Sequence, residues 1–160
     1  MFWLTLLQAI ALATLSGSII GIGALAAPVV FGQLPRTQAG DVMAPIFQRL
    51  DTLMLVCGGV VFVALCLQWL LSKGAFGHCL TLPFWQKPFG KARLAAMGLL
   101  VLGILWTVYG INAKLFALRA QPDFATDTTK QAQFQTLHKQ SEGSSKAVWV
   151  LSLAALAALL

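Results

Sequence analysis

The sequence predicts an all-α fold, an integral membrane bundle of four transmembrane helices forming one domain over residues 1–160. Three observations carry this. Of the 160 residues, 58% are hydrophobic and only 10% charged, whereas soluble domains carry about 25% charged residues. The mean hydropathy is +0.80, and the apolar residues gather in four segments, approximately 2–31, 52–71, 94–118 and 144–160. Three of these approach or exceed the roughly 20 residues that a spanning helix needs, while the last is short and must extend backward. Prolines, glycines and charges collect between the segments, as turns require.

The first segment has no Lys or Arg ahead of it and is too long for the apolar region of a secretion signal, so it reads as a retained helix although "GALAAP" offers small residues like those of a cleavage site. Ala13, Gly17, Gly21, Ala24 and Pro28 form a small-residue stripe at helical spacing, with a GxxxG at Gly17–Gly21. Such stripes let helices approach closely in lipid. Helix packing is the expectation for Gly17 and Gly21, and equally for Gly58, Gly103 and Gly110.

The stretch from Ala27 to Asp51, "APVVFGQLPRTQAGDVMAPIFQRLD", is dense in breakers and charge. Pro35 and Ala39–Gly40 punctuate a turn, and Val42, Ile46, Phe47, Leu50 and Leu53 then recur at amphipathic helical spacing. An interfacial helix over 38–51, kinked at Pro45, is expected to enter the membrane after Asp51 and to wall a polar mouth. The second span follows, with an inner face through Asp51, Leu55, Gly58 and Phe62. Cys57 and Cys66 lie in it and Cys79 in the next loop; their odd number and spacing fit no zinc pattern.

The loop "SKGAFGHCLTLPFWQKPFGK" mixes Phe76, Phe84, Trp85 and Phe89 with lysines, which suits the headgroup level. His78 and Cys79 make two metal ligands without a third nearby. The third span carries Gly103, Thr107, Gly110 and Lys114 along one stripe. Lys114 is therefore expected to point inward, either pairing with Asp51 or snorkelling to headgroups along its aliphatic stem. Tyr109 and Asn112 fall three residues apart on a neighbouring face, expected to line the same cavity.

Asp127 or Thr128 is a candidate N-cap for an interfacial helix over 128–143 that runs into the fourth span. His138, Ser141 and Ser145 share one face of it, and Ser152 and Ala155 continue the small-residue stripe. His138 is the one metal candidate of note, its alternatives being a proton carrier or a hydrogen-bonding group at the interface.

The formal charge of +6 beside apolar spans points to anionic headgroups rather than nucleic acid. With the N-terminal side called A, Lys73, Lys87, Lys91 and Arg93 fall on side A and the other basic residues on side B, with all five acids. The raw basic count favours side B as cytoplasmic. The side-A cations sit tightly beside spans, and the expectation is that side A is cytoplasmic. The setting is a multi-pass protein of the plasma or bacterial inner membrane. Its partners are the lipid bilayer and a second copy or another membrane protein. No cofactor is evident, since one membrane-level histidine makes no bis-histidine haem site. No residue set meets the geometric roles of catalysis.

With these residues in view, the chain resembles the domain-of-unknown-function 4149 family of small four-span membrane proteins, of which transmembrane protein 205 looks like an animal relative. The resemblance rests on Gly17 and Gly21 running into "APVVFGQL" (Ala27–Leu34), then Ala39–Gly40, Ile46–Phe47 and, late in the chain, "LHKQS" (Leu137–Ser141). The family commonly carries an Asn seven residues after that His, where this chain has Ser145. The resemblance implies architecture and location and leaves activity open.

The function expected is a small-solute or ion binding or transport module. Its polar mouth on side B would be lined by Asp51, Tyr109, Asn112, Lys114, His138 and Ser141. The alternative is a structural or accessory subunit of a membrane complex, and further off a metal- or haem-handling redox protein.

Overall fold

A computed structural model describes residues 2–73 and 90–159. They form four long helices and, among the described residues, no strand. Helix α1 spans Phe2–Gln33, with a π-helical stretch at Gly21–Ala26. Helix α2 is Arg36–Lys73. Helix α3 begins at Gly90, passes through a π-helical stretch at Trp106–Asn112 and ends at Arg119. Helix α4 is Thr128–Ala157. The expectations for Phe76, His78, Cys79, Phe84, Trp85, Lys87 and Phe89 lie outside the described residues.

Local chemistry sets the breaks. Leu34 takes an extended conformation (φ −117°, ψ 150°), as the residue before a proline prefers, and the chain turns there into α2. The segments at 38–51 and 128–143 form the opening halves of α2 and α4. Helix α2 starts at Arg36, continues unbroken through Pro45, and carries Ala39–Gly40 inside it. Gly40 lets the Arg119 guanidinium lie close, 2.9 Å from where a Cβ would stand; that guanidinium bonds Asp41 at 2.6 Å and ties the end of α3 to the start of α2. Asp127 caps α4 as expected, accepting from the backbone N–H of Thr129 and Lys130. Ahead of it, a hydrogen bond from Lys130 holds the Asp123 carboxyl below its ordinary value.

Each helix packs on its sequence neighbours, and α4 closes back on α1. Leu12, Leu15, Met54, Val61, Met97, Leu100, Ile104 and Val148 form the interior. The outward faces are apolar too, with Trp3, Val56, Phe62, Val63, Leu99, Leu102, Trp106 and Val150 exposed, while Gln8, Ser16, Asp51, Gln68, Thr107, Asn112 and Ser152 are buried. Apolar outside and polar within is the arrangement that lipid selects. Among the described residues, three helices are long and apolar enough to cross a membrane: Phe2–Gln33, Arg36–Leu71 and Lys91–Arg119. Helix α4 does not join them, correcting the expected count of four. It is polar from Thr128 to Lys146, and the apolar part, 147–157, is about 16 Å long at 1.5 Å per residue, against a hydrocarbon core of about 30 Å.

The glycines divide. A Cβ on Gly58 would meet Ile104 Cδ1 at 3.1 Å, and one on Gly103 would touch Val148 at 3.5 Å, so these two pack helices. Gly110 is covered by Trp106 of its own helix, and nothing lies within 4 Å of a Cβ on Gly17 or Gly21. The packing expected of Gly17, Gly21 and Gly110 therefore does not occur between helices of this chain. Gly58→Val should lower stability by about 1–3 kcal/mol through overpacking, and Gly17→Val by less than about 0.5 kcal/mol. Thermal unfolding of the two variants in detergent checks the difference.

Candidate functional site: a cavity at the α1–α2 turn

Three side chains from three helices form a directed chain of hydrogen bonds. Ser141 Oγ on α4 donates to Asn112 Oδ1 at 2.6 Å. Asn112 Nδ2 on α3 donates to Asp51 Oδ1 on α2 at 2.8 Å. Asp51 and Asn112 are 8% and 7% exposed, deep enough that an unmade bond would be costly. The second Asp51 oxygen receives no hydrogen bond from any described residue, yet it is not occluded.

Asp51 lines a partly open cavity of about 570 Å³ bounded by residues of all four helices. Gly23, Ala24 and Ala27 of α1 leave room by being small, and Phe31, Phe47, Phe116 and Trp149 supply aromatic wall. Trp149 contributes ring surface rather than its N–H, since Nε1 is occluded and makes no hydrogen bond. His138, Glu142, Ser145 and Lys146 complete the lining along α4. Lys146 Nζ bonds Glu142 at 2.6 Å. That hydrogen bond and the Lys146 charge, with a smaller contribution from His138, hold the Glu142 carboxyl below its ordinary value. The His138 ring is exposed and stacks on Phe134 with centroids 6.0 Å apart.

Asp51, Asn112, His138 and Ser141 are thus brought together, and Tyr109 and Lys114 are not. Tyr109 is 64% exposed, Lys114 is exposed, and the partner of Asp51 is Asn112 rather than Lys114. The cause is the π-helical stretch at Trp106–Asn112. Its wider turns insert residues into the helical count, so Tyr109 and Asn112, three apart, part onto different faces. The inward stripe shifts from Gly110 and Lys114 to Ile111, Asn112 and Leu115. Among the described residues no group of three or more His, Cys, Asp and Glu could hold a metal, and His138 stands alone at the rim.

Other polar contacts escaped the sequence reading. Ser16 and Ser152 share a buried hydrogen bond of 2.6 Å, and Thr107 and Ser144 one of 2.5 Å. At the opposite end, Arg93 donates to Gln8 and Gln68, and Gln68 donates to Thr5 at 3.4 Å. The available signal was the position of Gln8 and Gln68 as lone amides inside apolar runs, where a polar residue in lipid must face a partner.

Asn112→Leu leaves the Ser141 hydroxyl and the buried Asp51 oxygen without their partner. It should lower stability by about 1–3 kcal/mol, whereas Lys114→Gln should change it by less than about 0.5 kcal/mol. Thermal unfolding in detergent decides; equal losses would restore an Asp51–Lys114 pair.

Several residues on which the family resemblance was read, Ala27, Phe31, Phe47, His138 and Ser141, line this one cavity. The sequence pattern of a family described as "Domain of unknown function (DUF4149)" matches residues 10–121, which takes in most of α1 and all of α2 and α3 and ends before α4. No curated protein and no solved structure matches the chain. The match spans well over half the chain, which therefore belongs to the DUF4149 family of proteins of unknown function.

Proposed function

We propose that the chain is a multi-pass membrane module that binds, and in that act transports, a small solute at the α1–α2 turn end of its helices. The observation that carries this is the 570 Å³ cavity, apolar in most of its wall, with one buried carboxylate oxygen open to it. An ionisable group at membrane depth points to a functional site by default, and an apolar pocket with few convergent polar groups is the usual form of a small-molecule site. In this reading α4 acts as a fourth membrane helix. Its polar groups Ser141, Ser144 and Ser152 are spent on α3 and α1, and Val150 and Leu153 face outward. The likeness to transmembrane protein 205, and a plasma or bacterial inner membrane with the N-terminal side in the cytoplasm, belong to the same proposal.

A second reading, an accessory subunit, is favoured by the α1 face at Gly17 and Gly21, where no described residue lies within 4 Å of an added Cβ and which would admit another small-residue helix. The two readings separate by experiment. Wild-type protein released gently from detergent for native mass spectrometry should carry a small-molecule adduct. Ala27→Phe, which fills the cavity, should lose that adduct while keeping its melting temperature within a few degrees. A wild type without adduct, or one whose adduct survives cavity filling, contradicts the binding reading. Disulfide capture of another chain through Gly17→Cys in native membranes would then support the accessory one.

A further inference from the structure

The cavity holds a buried carboxyl group that no cation among the described residues answers. Asp51 accepts one hydrogen bond, from the neutral Asn112, and its other oxygen faces the open space. The described cations near this end are ion-paired or exposed. Lys146 is held by Glu142, Arg119 by Asp41 and Lys130 by Asp123, while Arg36, Arg49, Lys114 and Lys139 are exposed. A buried carboxylate without a cationic partner is neutralised either by a proton or by a cation that comes to it.

Resting on the binding reading above, we infer that the cavity is a site for an organic ammonium ion with an apolar body, its charge set against Asp51 and its body against the aromatic wall. Phe31, Phe47, Phe116 and Trp149 line the same space as the carboxylate, and aromatic rings around a desolvated cation attract it through their quadrupoles. Inorganic cations fit poorly. Calcium takes six to eight oxygen ligands, and magnesium keeps an octahedral shell. Here one carboxylate oxygen is free, and no group of three or more His, Cys, Asp and Glu that could hold a metal occurs among the described residues. The volume of about 570 Å³ also far exceeds what a bare ion fills and falls in the range of small-molecule pockets. The amine of a soluble compound and that of a lipid headgroup present the same chemistry to Asp51.

The test is calorimetric titration of the full chain in nanodiscs of phosphatidylglycerol, a lipid with no amine. The probes are phenethylammonium and 3-phenylpropionate, close in shape and opposite in charge. Phenethylammonium should bind and phenylpropionate should not. Asp51→Asn, which keeps an acceptor for Asn112, should weaken the ammonium by about tenfold or more, equivalent to about 1.4 kcal/mol. Phe47→Leu, which leaves the carboxylate intact, should weaken it several-fold, so the inference does not hang on the folding of one variant. Competition on adding phosphatidylethanolamine would identify a headgroup amine, and its absence a soluble one; either agrees with the inference. Equal binding of both probes, blocked by Ala27→Phe, would overturn the ammonium assignment, show Asp51 to be protonated, and leave the binding reading standing. No binding of either probe to folded protein would overturn both.

Discussion

A polar side chain carried into lipid is costly unless it finds a partner inside the protein, and that constraint organises the rest. Water is not there to accept what the helices leave unmade. Ser16 therefore meets Ser152, Thr107 meets Ser144, and Asn112 stands between Ser141 and Asp51. Each such bond contributes only about 0.6 kcal/mol on average between membrane helices. Their larger effect is to fix rotation and depth, because a helix turned to the wrong face would leave donors in hydrocarbon. Helix α4 shows this most clearly: its serines bond both α3 and α1, so they set its seat although its apolar part is short.

The cavity follows from the same arrangement. The Trp106–Asn112 π stretch turns Asn112 inward, and the second one, Gly21–Ala26, lies on the opposite wall beside Ala27. Small residues on that wall leave space that the large aromatic residues frame without filling. A wall of bulky aliphatics at Gly23, Ala24 and Ala27 would have closed the end of the structure and left Asp51 with no reason to be charged or buried. The far end shows the contrast. There Gln8, Gln68 and Arg93 converge through hydrogen bonds to one another, set against apolar interior.

Much of this was legible in residue order. Apolar length and hydropathy indicated the helical class and the bounds of α2 and α3, and the Asp127 cap and the shared face of His138, Ser141 and Ser145 followed from helical period. Asp51 and Asn112 were readable as polar groups at one depth. What failed did so for a common reason. The spacing of Gly110, Lys114 and Tyr109 was counted on a regular α-helix, and a π stretch carries no residue signature that spacing alone reveals. The Gly17–Gly21 motif was legible as a close-packing face but not as one unused within the chain. The apolar end of α4 is short in the sequence as in the structure, and the polar helix ahead of it keeps α4 from being long and apolar enough to cross by itself.

Asn112 joins Asp51 to Ser141 across three helices, and the cavity's polar wall rests on that link. Double-mutant cycles measure it directly. Asn112→Ala should be combined with Asp51→Ala in one cycle and with Ser141→Ala in another, with unfolding free energies read in the same detergent. Contacting residues of one network show coupling of about 0.5–3 kcal/mol, whereas independent sites add to within about 0.5 kcal/mol. Coupling in both cycles is the predicted result. Additivity in either would mean that the chain of hydrogen bonds does not hold these helices, and that the cavity beside it has another cause.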